Sequence, residues 1–167
     1  ALLALLIAKG GKTRVERLAE QLWPHSEGDA ALSVFTTTLS RLRKLIGEEA
    51  IVIQSGRVSL DERHCWLDVW ALERWLGRPS RREKSTATLR QREEEILKLY
   101  RGPFLPDERA AWATGPRQRL RERMAQWRQE LIGELRAVGE AETPSSFLER
   151  LAGADPVLAA DDQARPV

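Results

Sequence analysis

Apolar positions recur at helical spacing along most of the chain, and at strand spacing in one short window. Phe35, Leu39, Leu42 and Ile46 follow at steps of four, three and four, one stripe of an α-helix. Its opposite side carries Val34, Thr37, Thr38 and Arg41, with Lys44 beyond. The pattern predicts this helix from near Asp29 to Gly47, a residue suited to end it. Upstream, Val15, Leu18, Ala19 and Leu22 mark the inner side of a shorter helix that Trp23-Pro24 stops. Thr13 reads as its N-cap, with Glu16 three residues on, as in a capping box. Ala1 to Lys9 reads as an apolar helix closed by Gly10-Gly11.

Two β-prone runs follow the long helix. Ile51 to Gln54 is β-branched, and Arg57 to Leu60 alternates apolar with polar. Ser55-Gly56 separates them and suits a tight turn. Helix, turn, helix, then hairpin is the order of a winged helix-turn-helix. The short polar and basic face of its second helix is chemistry that enters a DNA major groove.

The second half reads as helical. Asp68 serves as N-cap for a helix carrying Val69, Leu72, Trp75 and Leu76, and polar, basic Gly77 to Thr88 reads as a linker. Leu89 to Tyr100 is helical until Arg101-Gly102-Pro103 breaks it. A long helix is expected from Pro116 to Val138, with Leu120, Met124, Trp127, Leu131 and Leu135 on one stripe. Phe147, Leu148 and Leu151 suggest one more helix, and the tail after Asp155 lacks enough apolar residues to stand alone.

The 167 residues leave room for one large domain or two small ones. A hydrophobic share of 42% and a charged share of 31% describe a soluble, folded chain. The single cysteine, Cys65, excludes an intramolecular disulfide and fits a reducing, cytoplasmic compartment. With two histidines, no ordinary structural zinc site is expected. The apolar run Ala1 to Ala8 is too short for a membrane span of about 20 residues. It also lacks the basic flank of a signal peptide. Because a helix is already under way at Ala1, the chain reads as a piece of a longer one.

The net charge of +2 neither demands nor excludes nucleic acid, so local placement decides. No catalytic constellation, cofactor or metal site is expected. Gly11-Lys12-Thr13 lacks the earlier glycine of a phosphate loop, since Leu6 stands there. His64 and Cys65 are neighbours without an orienting partner, and Cys65 is expected to pack near Trp66. Asp107 and Glu108 follow a proline turn and read as solvated. Six tryptophans are many for this length, and packing between helices explains them better than stacking on bases.

Several motifs in order carry a resemblance. Arg17-Leu18-Ala19-Glu20-Gln21-Leu22-Trp23-Pro24 and Leu39-Ser40-Arg41-Leu42-Arg43-Lys44-Leu45-Ile46-Gly47 come first. Leu67-Asp68-Val69-Trp70, Leu99-Tyr100-Arg101-Gly102-Pro103-Phe104-Leu105-Pro106 and Ala154-Asp155-Pro156-Val157-Leu158 follow. Together they resemble bacterial transcriptional activators of the SARP class, in which an OmpR/PhoB-type winged helix precedes a bacterial transcriptional activator domain. The resemblance covers most of residues 1–158. It implies a mostly α fold: a winged helix-turn-helix with a β-hairpin wing over 1–62, the start of a tetratricopeptide-like helical domain over 63–158, and a tail over 159–167. The small N-terminal sheet usual in that family has no counterpart here, and the helical domain stops near its first repeat.

The resemblance implies sequence-specific binding of double-stranded DNA and transcription regulation. By position, Ser33, Val34, Thr37, Thr38, Arg41 and Lys44 face the major groove. There Arg41 can fork onto guanine, and Thr37 and Thr38 can meet bases or a thymine methyl. Ser40 and Arg43 are expected on phosphates, and Arg57 beside the wing turn on a minor groove or backbone. Lys12, Thr13 and Arg14 are weaker phosphate candidates. The helical domain would receive a signal, contact RNA polymerase or support a homodimer on DNA, with no membrane involved. An alternative is a protein-binding scaffold, favoured by the modest charge and by threonines where many DNA readers place arginine or asparagine.

Overall fold

A computed structural model describes residues 1–78, 85–139 and 145–160. They divide into two units, Ala1–Trp66 with Asp107–Pro116, and Leu67–Pro106 with the chain from Arg117 on.

In the first unit, α1 (Leu2–Ala8) is followed by β1 (Lys12–Arg14), α2 (Val15–Leu22) and α3 (Gly28–Ile46). A short 3-10 turn, Glu48–Ala50, then leads into β2 (Ile51–Gln54) and β3 (Arg57–Leu60). The α1 helix ends as expected, with Gly10 N–H on the Ile7 carbonyl and Gly11 N–H on that of Leu6, both at 2.9 Å. The hairpin has the expected bounds. Its two-residue turn holds Ser55 and Gly56 at φ 50° and 69°, the left-handed pair that matches strand twist.

One expectation fails at Thr13. It lies in β1, opposite Val58, and no side chain caps α2. Strand pairing takes the backbone that a capping box would need. The sheet is therefore three-stranded and antiparallel, in the order β1-β3-β2. Three residues are too few to show an alternation, so the sequence pattern does not reveal β1. Leu5, Leu6, Leu18, Phe35, Leu39, Ile51 and Val58 are buried in this unit.

The second unit contains α4 (Asp68–Leu76), α5 (Thr86–Leu99), most of α6 (Ala111–Ala137), α7 (Ser145–Ala154) and α8 (Pro156–Ala160). Asp68 is the first residue of α4, and Leu67 takes the cap position. The linker expected over 77–88 is shorter, because Ser85 caps α5 through the Thr88 N–H at 3.4 Å. Residues 79–84 lie outside the described set. The α6 helix starts at Ala111, with Pro116 inside it. A proline this near the N-terminus forfeits one backbone hydrogen bond without ending the helix. The core joins Leu72, Leu89, Ile96, Met124, Trp127, Leu131, Leu135, Phe147 and Leu151. Leu158 of α8 joins this core, and the tail expected over 159–167 lies, from residue 161 on, outside the described residues.

Aromatic burial is less uniform than expected. Trp127 is buried and meets Phe147 edge-on at 5.7 Å, whereas Trp66 is 66% exposed. Phe104 and Leu105 are half-buried, held by the Arg117 guanidinium, which donates to both carbonyls.

Asp155 ties the unit together. Fully buried, it accepts the Tyr100 hydroxyl at 2.7 Å and Arg121 Nε at 2.8 Å. Its other oxygen accepts the Val157 N–H at 3.3 Å, which caps α8, and Pro156 takes the first helical position. Gly102 passes so close that a Cβ there would stand 3.1 Å from the Ala154 carbonyl, and its φ of 140° suits glycine alone. Arg128 donates to the Leu158 carbonyl at 2.6 Å.

Two outcomes follow. Asp155→Ala should cost about 3 kcal/mol, the low end for a broken buried pair because Arg121 keeps access to water; chemical denaturation reads it. Burial, and then the bond to Asp155, push the Tyr100 phenol well above its ordinary value of 10.0. Below that value both the folded and the unfolded chain hold the proton. As pH rises past it, the unfolded chain releases its proton first, so stability falls. Melting temperatures compared at about pH 9 and about pH 11 should show this loss, and Tyr100→Phe should flatten it.

Candidate nucleic-acid interface

The α3 helix positions most of the residues singled out. Ala31, Phe35 and Leu39 are buried, and Leu42 and Ile46 are half-buried, so the apolar stripe faces inward. At about 100° per residue, this leaves the opposite arc to solvent. Ser33, Val34, Thr37, Ser40, Arg41 and Lys44 are exposed there, and Thr38 is half-buried at the edge. Thr36, outside the residues expected to face DNA, is also exposed. Its spacing from Ser33 and Ser40, three and four residues, was the available signal.

The hydroxyls have a defined polarity. Thr37 Oγ1 donates to the Ser33 carbonyl at 3.1 Å, and Thr36 Oγ1 to that of Leu32 at 2.9 Å. Each hydroxyl proton is turned back into the helix. Outward, each threonine offers oxygen lone pairs and a methyl group, which suit a base amino group or a thymine methyl. Arg41 and Lys44 have no ion pair among the described residues.

Arg43, expected on phosphate, is half-buried. Its Nη2 donates to the Ile51 carbonyl at 2.8 Å in a partly buried setting. It ties the end of α3 to the start of β2, and so orients the hairpin relative to the helix.

The sheet adds a second basic element. Arg57 is exposed on β3, and the register places Arg14 of β1 directly opposite it. Lys12 lies on the same sheet face, opposite Ser59. Directly opposed like charges destabilise a sheet unless an anion offsets them. Pairing through β1 gathers Lys12 and Arg14 with Arg57 on one sheet face, and Arg14 also takes the N-cap position of α2.

Other reactive side chains lie elsewhere. Cys65 Sγ donates to the Asp61 carbonyl at 3.0 Å, and burial raises its pKa, the opposite of an activated thiolate. His64 Nδ1 is 3.2 Å from Glu49. The Asp61 carboxylate is held far below the usual range by hydrogen bonds from Arg63. Among the described residues no cluster of three His, Cys, Asp or Glu can hold a metal. None of their helices is long and apolar enough to cross a membrane.

Residues 67–160 match the bacterial transcriptional activator domain. The chain is also similar to the regulatory protein AfsR of Streptomyces griseus, with 27% identity over 133 residues. That alignment covers 78% of this chain but only 13% of the length of that relative. Since the family match takes in more than half of its residues, the chain belongs to the bacterial transcriptional activator domain family.

Proposed function

We propose that this chain is a transcription regulator that binds double-stranded DNA in a sequence-specific way through its first unit, a winged helix of the OmpR/PhoB type. The observation that carries the reading is the two-sided α3: an apolar stripe docked inward, and threonines, Arg41 and Lys44 turned to solvent. The order helix, strand, helix, helix, hairpin, with the first strand on the hairpin, supports the winged-helix assignment. So does the family membership of the rest of the chain.

In this reading α3 enters the major groove. Arg41 reads a base, Thr37 and Thr38 accept from or pack against base edges, and Ser33, Val34 and Lys44 line the contact. Ser40 meets phosphate. Arg57, with Arg14 and Lys12, meets the backbone beside the groove. Arg43 positions the hairpin. The second unit begins a tetratricopeptide-like array, in keeping with the pairwise packing of α4 with α5 and of α7 with α8. Its roles would be signal reception, homodimerisation on DNA or contact with RNA polymerase.

A second reading, a protein-binding module, draws on Leu45, 82% exposed, and on Val34, both on the Arg41 side of α3. Salt separates the two. Phosphate contacts make affinity fall steeply as salt rises, whereas an apolar protein contact does not.

Arg41→Ala should cost about 1–3 kcal/mol in a duplex-binding assay and relax preference at one base pair. Arg57→Ala should weaken binding to all sequences alike and lower the salt slope by about 1. No affinity for any duplex at low salt, with Arg41→Ala indistinguishable from the parent, would overturn the reading.

A further inference from the structure

A cavity of about 370 Å³ opens between α2 and α3, a size that suits a small organic molecule. Ala19, Trp23, Pro24 and Leu32 supply apolar walls, and Glu16 and Glu20 line it from one face of α2, a helical turn apart. No basic side chain lines it. Both glutamates are exposed, and neither has an ion pair or hydrogen-bond partner among the described residues. Because α2 ends and α3 begins here, the opposite partial charges of the two helix ends offset each other. The carboxylates therefore set the sign of the site.

An aromatic ring, an aliphatic wall and two unpaired carboxylates together recognise one class of ligand. We infer that this cavity binds a small organic cation with an apolar body, an aryl or alkyl ammonium. Its body rests on Trp23 and Leu32, and its charge lies between the Trp23 ring and the two carboxylates. An uncharged analogue keeps only the apolar contact. An anion of the same size meets repulsion from Glu16 and Glu20. Nothing in this site depends on DNA, so the inference stands or falls separately from the function proposed above.

The test uses the full 167-residue chain without DNA. Benzyltrimethylammonium, benzyl alcohol and phenylacetate are titrated in turn, with calorimetry for affinity and amide chemical shifts for location. Only the cation should bind appreciably, with shifts centred on residues 16–32. Glu16→Gln with Glu20→Gln should weaken it by about fivefold or more, and Trp23→Leu should do the same. Both glutamates are exposed, and melting temperatures of the double variant and the parent, measured alongside, separate loss of charge from loss of folding. Absence of binding at millimolar cation, equal affinity for all three probes, shifts centred elsewhere, or an unchanged affinity in the double variant would each overturn the inference.

Discussion

Burial of the Phe35 and Leu39 side chains, left 2% and 4% exposed, is the constraint on which the presentation of α3 depends. A helix is rigid about its axis. Once one stripe is docked, every other side chain on it has its direction set to within a rotamer. Ser33, Thr37, Ser40 and Lys44 face solvent because Phe35 and Leu39 do not. The hydrogen bonds of Thr36 and Thr37 back to the helix then decide which of their atoms are on offer.

Polar groups as well as apolar ones join elements of the structure. Arg43 crosses from α3 to the first carbonyl of β2. Arg92 donates to the carbonyl of Trp75 in the last turn of α4 and to that of Arg78 just beyond it, at 3.3 Å and 2.8 Å, and so ties α5 to the end of α4. Asp155 gathers a phenol, a guanidinium and a helix N-terminus onto one carboxylate. A buried carboxylate without such partners would be strongly unfavourable, so the three elements must arrive together. That mutual dependence gives the short α8 a fixed place that its five residues could not secure alone.

The surface divides by charge in the first unit. The sheet face with Lys12, Arg14 and Arg57 and the outer arc of α3 with Arg41 and Lys44 are basic or neutral. The cavity between α2 and α3 is lined by carboxylates instead. The first unit therefore presents surfaces of opposite charge.

Much of this was legible from residue order. The bounds of β2 and β3, the end of α3 at Gly47 and the stripe from Leu120 to Leu135 all follow from periodicity and turn chemistry, which act within a few residues. So did most of the exposed residues of α3. What periodicity could not supply were contacts between segments distant in the chain. β1 exists because Thr13 pairs with Val58, and its basic face exists because that register sets Arg14 against Arg57. The start of α8 is fixed because Asp155 meets Tyr100, fifty-five positions away. Local spacing determines which elements form and which stripe is oily. Only the packed chain decides which polar atoms meet across it, since those bonds depend on distances in space that no neighbouring residue encodes.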